Sequence, residues 1–317
     1  MKNEEIPVVS FRNVTKKYKG VTALSDISFD LFPGEIMGYI GPNGAGKTTS
    51  MKILVGLMKD FTGEVYVNGE NVLHSALAPK YLGYMPQDTG FQTWRTAEHA
   101  LTTLGLLSGM DKNTLEKKIY EILKRVGLAD VADRKIVHFS GGMQQKLKLA
   151  QALLHDPRLV ILDEPMNGLD PASRYQMKQI IKDLAESGKT VIFSSHILSD
   201  VSDIAHRITV IAKGQLIRTG TPQQLQEEFK IGDDIEIIVA PGVQEINEIA
   251  SLQGIVSVEK AGTERYLIHL TAGFDPDAAL QSVYATISSG GLKVRTVRLV
   301  RPGLEEVYLK LTGGQEK

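Results

Sequence analysis

Residues 41–49 read GPNGAGKTT: three glycines, a lysine and two threonines directly after the apolar run Ile36-Met37-Gly38-Tyr39-Ile40. A run of that kind predicts a buried strand. Downstream, Met51, Leu54, Val55 and Met58 recur at i, i+3, i+4 and i+7, which predicts an amphipathic helix from Lys47 to Leu57. The stretch is therefore a glycine loop between a strand and a helix, and Gly41, Gly46, Lys47 and Thr48 fill the pattern G-x-x-x-x-G-K-[ST]. In that context backbone N–H groups turn inward around phosphates, because side chains at the glycine positions would block the approach. Gly41, Pro42, Asn43, Gly44, Ala45, Gly46, Lys47, Thr48 and Thr49 are the candidate cradle. Lys47 supplies a point charge to the β- and γ-phosphates, the Thr48 hydroxyl can ligate Mg2+, and the helix start adds the positive end of its dipole.

Phosphate chemistry needs a metal ligand and, for hydrolysis, a base. A second short apolar run, Leu159-Val160-Ile161-Leu162, ends in Asp163-Glu164-Pro165. A buried strand that delivers two carboxylates to its carboxyl end puts them in the crevice where open α/β sheets bind ligands. The expectation is that Asp163 holds Mg2+ through its water shell and that Glu164 polarises the attacking water. Further upstream, Ser140-Gly141-Gly142-Met143 opens a helix whose Met143, Leu147, Ala150 and Leu154 share one face. Free N–H groups, a serine hydroxyl and the lack of an obstructing Cβ make a second anion site. A chain with one phosphate loop has no use of its own for it. A head-to-tail pair does, since each subunit can close the other's nucleotide.

The rest of the chain reads as α/β. Val8 to Phe11 and Leu24 to Leu31 predict strands, with Pro33-Gly34 as a turn; Gly63 to Val67 and Tyr81 to Met85 predict two more. From Thr96 to about Asp156 the pattern is helical, with a helical subdomain expected over residues 91–156. Leu159 to Leu162 and Thr190 to Phe193, separated by a helix from Ala172 to Glu186, alternate as in a parallel sheet covered by helices. Ile208 to Ala212 and Gln215 to Arg218 form a hairpin around Lys213-Gly214, and a short helix after Thr221-Pro222 leads to a domain boundary at 230/231. Residues 231–317 then read strand (Ile235 to Val239), helix (Val243 to Leu252), strand (Ile255 to Glu259), strand (Tyr266 to Leu270), helix (Pro276 to Ser288) and strand (Lys293 to Val300), the split β-α-β-β-α-β order, with a last helix from Leu304 to Leu311.

Composition narrows the function classes. Against 36 basic residues stand 37 acidic ones, a net charge of −1, so no global field draws the chain to nucleic acid or to an anionic membrane. The absence of cysteine removes disulfides and thiolate metal sites, the seven histidines show no ligand spacing, and a reducing cytosol is expected. The polar start Met1-Lys2-Asn3-Glu4-Glu5 is no signal peptide, and no segment approaches the ~18 consecutive apolar residues of a membrane span. Work at a membrane would need another chain to cross it.

Taken together, the motifs of about residues 6–228 resemble the nucleotide-binding subunits of ABC transporters. The resemblance implies a P-loop ATPase core with an N-terminal antiparallel β subdomain, ATP and Mg2+ as ligands, and a dimer, homomeric or with a related ATPase, closed around two Mg·ATP. It implies a separate transmembrane permease, a place on the cytoplasmic face of the membrane through that permease, and no nucleic-acid partner. By residue, it makes Tyr18 the aromatic that stacks on adenine and Gln87 the glutamine that senses Mg2+ and the attacking water. Asp170, in Gly168-Leu169-Asp170, belongs to the loop that crosses the dimer, and His196 is the switch histidine at the γ-phosphate. The chain departs from the family pattern at Phe139, Met143 and Met166-Asn167, while Ser140 and Gly142 are intact. The C-terminal unit, ending RPGLEEVYLKLTGG, is similar to the α+β accessory domain of ABC-2 type export ATPases. The alternative is a soluble ABC ATPase acting on ribosomes or DNA, whose relatives carry two such units or a long coiled coil that this chain lacks.

Overall fold

The computed structural model describes residues 6–74, 81–88, 90–228, 234–241, 246, 248–271, 273–290 and 292–300. In chain order the elements are β1 (Val9–Tyr18), β2 (Val21–Leu31), β3 (Ile36–Ile40), α1 (Lys47–Leu54), β4 (Thr62–Val67), β5 (Glu70–Asn71) and β6 (Leu82–Met85). The helical stretch holds α2 (Ala97–Leu107), α3 (Lys112–Arg125) and α4 (Gly141–Leu153). After it come β7 (Leu159–Leu162), α5 (Pro171–Glu186), β8 (Thr190–Ser195), α6 (Leu198–Ser202), β9 (Arg207–Ala212), β10 (Gln215–Gly220) and α7 (Pro222–Glu228). The remainder is β11 (Asp234–Val239), β12 (Ile255–Lys260), β13 (Arg265–Leu270), α8 (Pro276–Gly290) and β14 (Val294–Val300).

The chain packs as two compact units, Met1–Pro222 and Gln223–Lys317. In the first, an antiparallel sheet in the order β2-β1-β4-β5 faces a six-stranded sheet in the order β10-β9-β3-β8-β7-β6. Strands β9, β3, β8, β7 and β6 run parallel and β10 closes the edge antiparallel to β9. All of β3, β7 and β8 is buried, which is why each carries a short apolar run, flanked in β8 by the buried hydroxyls of Thr190, Ser194 and Ser195. One core joins the two sheets: Phe11 stacks on Phe29 with ring centroids 4.5 Å apart, and Phe29 meets Tyr39 of β3 at 5.6 Å.

Three expectations from the sequence change. The first helix stops at Leu54, not Leu57, because Gly56 takes a left-handed φ of 73° and Met58 N–H bonds back to Lys52 O at 3.1 Å, a glycine-terminated helix end. The first two strands are longer than their apolar runs, since register shifts between Phe11 and Lys17 break the alternation that would have marked them. In the C-terminal unit, Val243 to Glu245 lies outside the described residues, and of the helix expected to Leu252 the described part is a single 3₁₀ turn, Ile249–Ser251. The helix expected from Leu304 to Leu311 also lies outside the described residues.

That second unit is an antiparallel sheet in the order β12-β13-β11-β14, the strand order of the split β-α-β-β-α-β arrangement. Ile235, Ile237 and Val239 alternate on one face of β11 and pack with Ile268 and with Ala279 and Val283 of α8. On the other face Glu236 is buried between Arg265 and Arg298, whose guanidinium groups hold its carboxyl below the usual range. Among the described residues no helix is long and apolar enough to cross a membrane.

One close approach ties the site strand to its neighbours. A Cβ at Gly38, in the middle of β3, would lie 1.9 Å from Val201 Cγ1 of α6. Gly38→Ala is therefore expected to cost about 1–3 kcal/mol and to lower Tm by several degrees in thermal denaturation. An unchanged Tm would mean that α6 yields without cost.

Candidate functional site

Four neighbouring parallel strands, β3, β8, β7 and β6, open at their carboxyl ends onto one cleft. Gly41 follows β3, His196 follows β8, Asp163 and Glu164 follow β7, and Gln87 lies two residues beyond β6. The register is tight: Ile40 pairs with Ser195, and Leu162 pairs with both Phe193 and Met85. Groups far apart in the chain thus meet in a row fixed by backbone pairing rather than by loops.

The loop after β3 wraps a cleft of about 320 Å³ lined by Ala23, Asn43 to Thr49, Gln87 and Glu164. Gly41 N–H donates to Ser195 O at 3.2 Å and Ala45 N–H to Pro42 O at 3.1 Å, so the loop is anchored to β8 and folded on itself. Gly46 has a φ of 108°, and a Cβ there would stand 2.6 Å from Ala23 O; a side chain is excluded on both counts. Pocket walls of backbone at the start of α1 suit an anion.

Lys47 is buried in this loop. Its Nζ donates to Gly41 O at 2.7 Å and Pro42 O at 3.2 Å and lies 3.1 Å from Glu164 Oε1. The other oxygen of Glu164, Oε2, is 2.9 Å from His196 Nδ1. A carboxylate only accepts, so in this contact Nδ1 carries the proton and Nε2 is the ring's remaining polar atom. Glu164 adopts a left-handed φ of 52°, uncommon for a residue with a side chain, and strain of this kind concentrates at functional sites.

Asp163 is fully buried. Burial pushes its carboxyl up from the ordinary carboxylate range; the hydroxyls of Ser194 and Thr48 work against that, and the charge of Glu164 adds to it. Its Oδ1 accepts from Ser194 Oγ at 2.7 Å, whereas Oδ2 is buried with no hydrogen-bond partner among the described residues. A buried oxygen left in that state costs energy unless something satisfies it. The hydration shell of a hard cation would do so, and the oxygen donors Thr48 and Gln87 line the same cleft. The residues present fit Mg2+.

Other residues singled out in the sequence stand away from this cleft. Ser140 caps α4, its Oγ accepting from Met143 N–H at 3.3 Å; Ser140 and Gly141 are exposed, Met143 is half-buried, and Gly142 packs against Ser173 of α5. Asp170 caps α5 and is exposed; hydrogen bonds from the hydroxyl and the amide of Ser173 pull its carboxyl below the usual range. Tyr18 ends β1 with its hydroxyl 3.2 Å from Met58 Sδ and its ring 4.9 Å from Lys16 Nζ, and it does not line the cleft. Two further contacts are not among those the sequence predicts: Ser194 touches both carboxylate residues that follow β7, and Lys148 of α4 donates to Gln87 O at 3.0 Å. A hydroxyl at the end of an apolar run was the one available hint of the first.

The sequence model of the family described as ABC transporter matches residues 24–167. The linearmycin resistance ATP-binding protein LnrL of Bacillus subtilis (strain 168) is 33% identical over 304 residues, covering 95% of this chain and 97% of that protein. The Nod factor export ATP-binding protein I of Burkholderia pseudomallei (strain 1710b) is 33% identical over 309 residues, 96% of this chain and 97% of its own. Among solved structures, a dimeric ATP-binding cassette in a post-hydrolysis state, bound to ADP and Pi, superposes with a TM-score of 0.62 at 27% identity, over 67% of this chain and 98% of that one.

Proposed function

The chain belongs to the ATP-binding proteins of the ABC transporter family, and from that premise we propose that it closes as a dimer around two Mg·ATP and drives a separate transmembrane permease, in the direction of export. The observation that carries the reading is the meeting of Lys47, Glu164 and His196 at the phosphate loop, with both oxygens of Glu164 engaged. The loop N–H groups and Lys47 bind the β- and γ-phosphates. Glu164 takes the proton of the water that attacks the γ-phosphorus as ADP leaves, and His196, holding Glu164 through Nδ1–H, keeps that carboxylate aimed. Mg2+, held by Thr48 and Gln87 with Asp163 reaching it through water, would neutralise charge on the phosphates.

Ser140, Gly141, Gly142, Met143 and Asp170 serve the partner's nucleotide in this reading. Their support is that they form caps on α4 and α5, outside the chain's own cleft. Closure, selected by ATP, does the mechanical work, and hydrolysis reopens the pair. Tyr18 stacks on adenine from the end of β1. Residues 1–230 form the nucleotide-binding domain and 231–317 an accessory domain of the ABC-2 exporter kind; export is supported by the likeness to the Nod factor export ATP-binding protein I, 33% identical over 96% of this chain. The permease holds the protein at the cytoplasmic face of the membrane.

The permease-docking surface lies around Phe91, Trp94 and Gln87. Trp94 is 61% exposed with Arg95 stacked 4.8 Å from its ring, the kind of aromatic that anchors interfaces. Tagged protein pulled from detergent-solubilised membranes with Mg·ATP is expected to bring down a polytopic membrane chain. Trp94→Ala is expected to cut that recovery by roughly tenfold without changing ATP affinity. Recovery of ribosomal proteins instead, or of the ATPase alone, would overturn the transporter reading.

A further inference from the structure

We propose that Ser194 is a positioning residue for ATP hydrolysis, a single buried hydroxyl that holds Asp163 and Glu164 in register. The inference rests on the roles given above to those two residues. Ser194 is fully buried at the end of β8. Its Oγ donates to Asp163 Oδ1 at 2.7 Å and accepts from the Glu164 backbone N–H at 2.8 Å. A hydroxyl has one proton to give; an ionised carboxylate can only accept and an amide N–H can only donate, so with Asp163 ionised this arrangement has one polarity.

Sheet pairing explains why the contact falls here. Leu162 sits opposite Phe193, so the next residue on each strand, Asp163 and Ser194, come level where the ladder ends. There the chain after β7 must turn, and it does so with Glu164 in the left-handed region. Such a backbone persists only when its surroundings hold it. The amide that Ser194 grips is that of the strained residue itself. Released, the peptide could relax toward an ordinary conformation and carry the Glu164 carboxylate away from Lys47 and His196.

The same hydroxyl fixes which oxygen of Asp163 stays free. With Oδ1 held, Oδ2 is the atom left without a hydrogen-bond partner among the described residues. Ser194 thus orients the metal-facing group and the base together, from the end of the strand that His196 follows. Neighbouring Ser195 has a different use: its Oγ accepts from Ile197 N–H at 3.0 Å and serves the local turn.

The test compares Ser194→Ala, Ser194→Thr and Glu164→Gln in full-length protein, measuring kcat and KM for ATP in excess Mg2+, nucleotide affinity in EDTA, and Tm. Ser194→Ala is expected to lower kcat by about 30-fold, with KM and the EDTA affinity within about threefold of the parent, as for a misplaced catalytic group. Ser194→Thr, which keeps the hydroxyl, is expected to recover most of that loss. The proposal is overturned if Ser194→Ala keeps kcat within about threefold, if nucleotide affinity in EDTA falls in step with kcat, or if both variants lose equally. Parent-like turnover by Ser194→Ala beside an inactive Glu164→Gln sinks only the positioning role. Parent-like turnover by Glu164→Gln sinks the catalytic reading beneath it.

Discussion

Replacing Glu164 by Gln is expected to lower ATP turnover by about 10³-fold, the range for loss of a general base, while ATP affinity holds or rises. The affinity side follows from charge. Glu164 stands 3.1 Å from the ammonium of Lys47, so its carboxylate competes with a phosphate for that group. Glutamine removes the competing charge and keeps the shape, and Lys47 retains the carbonyls of Gly41 and Pro42. With hydrolysis blocked, Mg·ATP should accumulate the closed pair, visible as a shift to dimer in size-exclusion chromatography with light scattering. Turnover within about threefold of the parent would take the base role away from Glu164, and slow turnover without a dimer would separate closure from hydrolysis.

Lys47→Ala is the second large effect, and it acts on binding. Contacts of a cation to two phosphates, at about 1.5–3 kcal/mol each, imply an ATP Kd weaker by about 10²-fold or more, measurable by calorimetry without turnover. A second consequence has a separate origin. The Lys47–Glu164 pair is buried on both sides, and deleting one member of such a pair leaves a charge without its partner. Tm should therefore fall in Lys47→Ala and recover in the double variant with Glu164→Gln, whereas affinity should not recover. Equal ATP binding by parent and Lys47→Ala would contradict the cradle.

The parts of this site that lie together in sequence were legible there. Gly41 to Thr49 announces itself because the loop, its strand and its helix are contiguous, and Asp163-Glu164 because a buried strand runs straight into them. Chain order does not give sheet order, however: β8, later in sequence than both, lies between β3 and β7. What pairing creates was not legible. Ser194 meets Asp163 across 31 residues and Lys148 meets Gln87 across 61, through registers that no local period encodes. The end of the first helix is hidden in the sequence because the apolar spacing runs on past Gly56, which has already turned the chain. The ends of β1 were hidden by bulges, which break a period of two without ending the strand.

A single hydrogen bond, from Lys148 to the carbonyl of Gln87, ties the loop to α4. Lys148 is half-buried, burial pulling its ammonium down and Asp88 holding it up, so the bond is partly shielded from water. Seven residues separate it from Gly141, about 10 Å of stiff helix between the loop and the capped end at Ser140. The contact is placed as a clutch would be, between the loop and the capped end of α4. A bond to a charged donor is worth about 1.5–3 kcal/mol, several times thermal energy, and that is the most this one contact can contribute to coupling the two segments.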